Sequence, residues 1–159
     1  MDELLKLLQA NALESRETLA RLLDLPAAEV NARIADYEKR GVIRGYQAIL
    51  NEDRLDLDKV TAVIEVKVTP QREGGFDGIA QRISRFPEVR SAYLMSGSYD
   101  LLLFVEGRTL REVAAFVSER LSSLEGVVST STHFMLKTYK RFGVLMHQEL
   151  SDERLTVTP

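Results

Sequence analysis

Between Val89 and Val105 the chain sets two apolar runs of strand length around a short polar hinge, and this arrangement constrains the fold most. Val89 to Met95 is rich in strand-favouring residues. Leu101 to Val105 is an unbroken apolar run that suits a strand buried on both faces or nearly so. Gly97, between them, supplies a positive-φ position or a close backbone approach. Ser98, Tyr99 and Asp100 then place a hydroxyl, a phenol and a carboxylate within one turn. Two readings are open at this point. Exposed amides beside a carboxylate suit a small zwitterion, the amides holding its carboxylate and Asp100 its ammonium. A plain hairpin, with Asp100 capping the turn through its own backbone, also accounts for these residues.

The flanking sequence extends the pattern. Val60, Ala62, Ile64, Val66 and Val68 alternate with Thr61, Glu65 and Lys67, Val63 being the exception, which predicts a half-buried strand. After a loop over 69–75, Phe76, Ile79, Ala80 and Ile83 mark a helix closed by Phe86 and Pro87. Gly107 ends the strand begun at Leu101. Leu110, Val113, Ala114, Val117, Leu121 and Leu124 define a long amphipathic helix stopped by Gly126, and Val127 to Lys140 reads as a last long strand. The order β-α-β-β-α-β predicts a ferredoxin-like split βαβ, an antiparallel sheet with two helices on one face. Apolar residues on the open face predict pairing with another copy, hence at least a homodimer.

The first fifty residues follow a different period. Leu4, Leu5, Leu7 and Leu8 form the apolar face of a helix over 3–11. Ser15 caps a second helix, 16–23, and Pro26 opens a third that runs to Arg40, before Gly41. Residues 42–50 read as an extended arm or small hairpin turning at Gly45. Three helices with a tight second turn and an extended wing form a winged helix-turn-helix pattern. The fold class is therefore α+β: an N-terminal winged helix-turn-helix over 1–50, a polar linker over 51–59, the ferredoxin-like domain over 60–142 and a C-terminal tail over 143–159.

Composition narrows the chemistry. The 159 residues contain no cysteine, which excludes disulfides, thiol nucleophiles and thiolate metal sites. His133 and His147 lack metal-type spacing, so no metal, cofactor or catalytic residue is expected. No apolar run reaches the roughly 18 residues of a membrane span, and no signal peptide is visible, so a cytoplasmic protein without a membrane partner is expected. With a net charge of -3, nucleic-acid binding must come from a local patch.

Several short motifs, taken in order, resemble the Lrp/AsnC (feast/famine) transcription regulators. They are Leu19-Ala20, Leu25-Pro26, the run from Glu38 to Tyr46, Phe86-Pro87-Glu88-Val89, Gly97-Ser98-Tyr99-Asp100, Leu124-Glu125-Gly126-Val127 and Thr130-Ser131-Thr132. The resemblance implies double-stranded DNA as a partner, and a homodimer or higher oligomer, up to an octamer. It also implies a small effector, an amino acid, held between subunits by Gly97, Tyr99, Asp100, Thr130 and Thr132, with Ser98 in the same loop. For DNA the expected residues are Asn31, Arg33, Lys39, Arg40 and Arg44, with Asn31 suited to adenine and Arg33 to guanine. From Pro26 to Gln47 four cations (Arg33, Lys39, Arg40, Arg44) face three acids (Glu29, Asp36, Glu38), a local net of only +1. That near-neutrality leaves open a ligand-binding or assembly protein that has lost DNA binding. A sirohaem-decarboxylase-like enzyme is a further alternative with little residue support.

Overall fold

The computed structural model describes residues 1–70 and 74–147. They form two units, Met1–Ile49 and the chain from Leu50 onward.

In the first unit Asp2 accepts the Leu4 amide at 2.8 Å and starts α1 (Glu3–Ala10). The Ser15 hydroxyl accepts the Thr18 amide at 3.0 Å and starts α2 (Arg16–Leu23). Asp24 turns the chain at φ 53°, a left-handed position that a short polar side chain tolerates, and α3 (Ala27–Lys39) begins after Pro26. The apolar faces meet in a small core of Leu4, Leu8, Leu19, Ala20, Val30 and Ile34.

The wing is not formed. Among the described residues no strand lies between Val42 and Leu50. Gly45 has no positive φ, so the tight turn that a two-residue hairpin requires is missing. Instead the segment runs as a single arm. Ile43 packs on the helical core, and the Tyr46 hydroxyl donates to Glu38 Oε1 at 2.9 Å.

The second unit is an antiparallel sheet of order β2-β3-β1-β4, built from β1 (Val60–Val68), β2 (Val89–Leu94), β3 (Leu101–Gly107) and β4 (Val127–Phe134). α4 (Asp77–Ser84) and α5 (Leu110–Ala115, continued by a π-helical turn, Phe116–Leu121) cover one face. Ala62, Ile64, Val66 and Val68 of β1 and Leu101, Leu103 and Val105 of β3 are buried there against Ile79, Ile83, Val113, Phe116 and Leu121. The second helix therefore ends at Leu121 instead of running on to Leu124. The opposite face carries Tyr93, which is 52% exposed and stacks edge-on with Phe104 at 6.2 Å.

The last strand is shorter than its residue pattern. The Met135 amide donates to Thr61 O at 2.9 Å, and β1 begins only one residue before Thr61, so β4 has no partner backbone beyond that point. The chain then forms a small hairpin, β5 (Lys140–Arg141) with β6 (Val144–Leu145), turning at Phe142 and Gly143. Residues 143–147, assigned to a tail, thus include a strand and the buried Met146; residues 148–159 lie outside the described part.

The hairpin and the polar segment after Leu50 close on a pocket of about 220 Å³ at this end of the sheet. Glu52 Oε1 accepts from both Lys59 Nζ and Arg141 Nη1 at 2.8 Å, and Lys59 also reaches Glu106 at 3.0 Å. Asn51 Nδ2 donates to Met146 O at 2.6 Å. The hydrogen bond from Lys59, with that from Arg141, holds the Glu52 carboxyl below its ordinary 4.5 despite burial. A lowered folded-state value means stability that is present above the ordinary carboxylate range and lost as pH falls through the folded value. Glu52→Gln is therefore expected to cost about 1 kcal/mol near neutrality, with the gap to wild type closing below pH 4.5. Chemical denaturation at neutral and acidic pH measures both.

Candidate functional site

The sensor hinge is tied to β1. The Met95 amide donates to Asp100 O at 2.8 Å, closing the loop between β2 and β3, and the Asp100 amide donates to Val66 O at 3.0 Å. The pairing of β1 with β4 slips between Lys67 and Val68. Asp100 Oδ2 accepts the Val68 amide at 2.9 Å. So Asp100 does not cap its own turn. It serves a backbone donor of another strand, while its second carboxylate oxygen makes no recorded protein hydrogen bond among the described residues. Gly97 and Ser98 are exposed, Tyr99 and Asp100 half-buried. Gly97 lies at φ 155°, and no atom comes within 4 Å of where a Cβ would stand.

Thr130 and Thr132 pair with Val66 and Ile64, on the helix-covered side of β4, and both are half-buried. Thr130 Oγ1 lies 3.4 Å from Ser122 Oγ. Val66 is flanked by Leu101 on one side and Thr130 on the other. The hinge and Thr130 therefore share one end of the sheet but stand across β1, two strand spacings or about 10 Å apart. A ligand that touches both has to span that gap.

On α3 and just after it, the predicted DNA residues fall into two groups. Arg33 donates through Nε and Nη2 to Glu29 Oε1, and Arg40 pairs with Asp36 at 3.1 Å while lying over the Tyr37 ring. The hydrogen bond to Glu29 raises the already high Arg33 value further. Asn31, Lys39 and Arg44 are exposed and have no recorded side-chain partner among the described residues. The i, i+4 spacing of Glu29 with Arg33, and of Asp36 with Arg40, was visible in the sequence and announces such pairs.

A three-helix unit with a tight α2–α3 turn, followed by a βαββαβ sheet with a polar hinge, defines an HTH-type regulator carrying a ligand-binding domain. Residues 61–145 match the Lrp/AsnC ligand binding domain. Over 158 residues, 99% of this chain and 95% of the relative, the sequence is 46% identical to the uncharacterised HTH-type transcriptional regulator YugG of Bacillus subtilis. It is 34% identical to the proline dehydrogenase transcriptional activator of Rhodobacter capsulatus, covering 80% of this chain and 82% of that one. A Neisseria meningitidis transcriptional regulator, solved as its L-Met complex, superposes with a TM-score of 0.68 at 26% identity, covering 89% of this chain and 93% of that one. The chain belongs to the Lrp/AsnC family and is a transcriptional regulator of that type. No helix of the described residues is long and apolar enough to cross a membrane.

Proposed function

We propose that this regulator binds double-stranded DNA through α3 and responds to an amino acid held at the sensor hinge between subunits. The observation that carries the effector reading is the hinge itself: one Asp100 carboxylate oxygen has no protein hydrogen bond among the described residues, in a loop whose Gly97 and Ser98 are exposed, which suits an ammonium held next to a carboxylate. The L-Met complex of the Neisseria meningitidis relative supports the same ligand class. Tyr99, Thr130 and Thr132 complete the proposed site across the subunit boundary. The role is regulatory and not enzymatic, in keeping with the relatives' names, and the setting is cytoplasmic.

Assembly follows from the open sheet face. Tyr93 and Phe104 sit among the partly exposed side chains that a second copy would cover, giving a homodimer that can build into larger rings. One observation favours a second reading, in which DNA binding has been lost: two of the four cations near α3 are held by acids of their own helix. The test is a titration of the chain onto the DNA upstream of its own gene, with and without each of the twenty amino acids, beside light scattering of the free protein. Salt-sensitive binding that one amino acid changes, by a species of at least two chains, is the expected result. No binding at low salt gives first place to the second reading, and a monomer mass removes the shared site.

A further inference from the structure

The geometry points to Asn31 as the residue with which this regulator reads adenine, and leaves Arg33 no part in reading guanine. The inference rests on the DNA-binding reading of α3 and names its specificity-determining side chain.

Val30 and Ile34 face the core, so the exposed side of α3 is set. Ala28, Asn31, Ala32 and Ala35 are all exposed and stand at i, i+3, i+4 and i+7, on one side of the helix. In the homeodomain, a three-helix variant of the helix-turn-helix, the reading residues of the recognition helix stand at this same spacing. Within the group Asn31 alone carries hydrogen-bonding chemistry, and its amide has the donor and acceptor that match adenine N6 and N7. Its side chain is short, so the helix backbone must come close to the groove floor. The alanines on either side permit that approach.

Arg33 is placed differently. Its Nε and Nη2, the fork that guanine would need, both point to Glu29 Oε1. Asp2 adds a further favourable charge to it. To reach a guanine, Arg33 would have to leave Glu29 as an uncompensated carboxylate facing phosphates. Asn31 has no such partner to give up. Glu29, Arg33, Asp36 and Arg40 together form a self-neutralised strip beside the reading positions.

The test uses the footprinted DNA upstream of the protein's own gene, with single adenines or guanines replaced by their 7-deaza forms, which lack the N7 acceptor. Wild type is expected to lose roughly 5- to 150-fold in affinity at one or two 7-deazaadenines per half-site. Asn31→Ala should show that loss on natural DNA and then be indifferent to 7-deazaadenine. Alanine is the better helix former at an exposed position, so the loss cannot come from unfolding, and an unchanged helical circular-dichroism signal checks this. Arg33→Met should keep the wild-type pattern. Binding by Asn31→Ala that equals wild type overturns the assignment. So does a 7-deazaguanine effect that Arg33→Met abolishes. Failure of wild type to bind any of these probes refutes the DNA-binding reading itself, a different result from either.

Discussion

Asp100→Asn is expected to melt close to wild type and to lose its thermal response to the amino acid effector, whereas Asp100→Ala should lose both. The asymmetry comes from the two duties of one carboxylate. Oδ2 accepts the Val68 amide at the slip in β1, and the asparagine carbonyl can take over that role. Alanine cannot, and it leaves the amide of the buried Val68 without its partner at a cost of about 1–3 kcal/mol. The charge, by contrast, matters for an ammonium ligand, where a charge-assisted hydrogen bond contributes roughly 1.5–3 kcal/mol. Differential scanning fluorimetry of the three proteins against the twenty amino acids reads both effects. Equal stabilisation of wild type and Asp100→Asn by one amino acid would move the ammonium site elsewhere.

Leu19→Ala should abolish DNA binding outright while sparing the sensor. Leu19 is fully buried in a core of six residues, within a unit that ends at Ile49. At 0.05–0.15 kcal/mol per residue such a unit holds roughly 2–7 kcal/mol in all. A buried Leu→Ala change removes about 2–5 kcal/mol, from a third to all of it. Calorimetry should then show one transition missing, with the remaining one still raised by the effector. A single transition that shifts as a whole would mean that the two units unfold together.

The elements that could be read from the residues are those whose signals are local. Ser15 and the Asp24-Leu25-Pro26 turn bound α2 and α3 because caps and breakers act within a few residues. The alternation from Val60 to Val68 gave the buried face of β1 because side chains in a strand change sides at every step. What escaped depends on distant partners. The bond from Val68 to Asp100 joins residues 32 apart through a slip that no local pattern encodes. β4 stops where β1 runs out of backbone. The Glu52 bond to Arg141 spans 89 positions. The β5–β6 turn uses Phe142 at φ 47°, without the Asn-Gly signal that usually marks it. At the site, the hinge residues were legible as a group, but Asp100's attachment to β1 was not. On α3 the candidate cations were found, while their capture by Glu29 and Asp36 was passed over although the spacing showed it.

The anchoring of Asn51 and Glu52 also bears on where the join between the units lies. By composition the join between the halves runs from Asn51 to Lys59. Yet Tyr46 is fastened to α3 through Glu38, while Asn51 and Glu52 are fastened to Met146, Lys59 and Arg141. The covalent stretch between those fixed points is Gln47 to Leu50. That leaves four residues as the join, where the composition marks nine, from Asn51 to Lys59. A glycine inserted after Ala48 therefore falls in the join itself, whereas one inserted between Asn51 and Lys59 breaks into the fold of the second unit and is expected to lower its melting temperature.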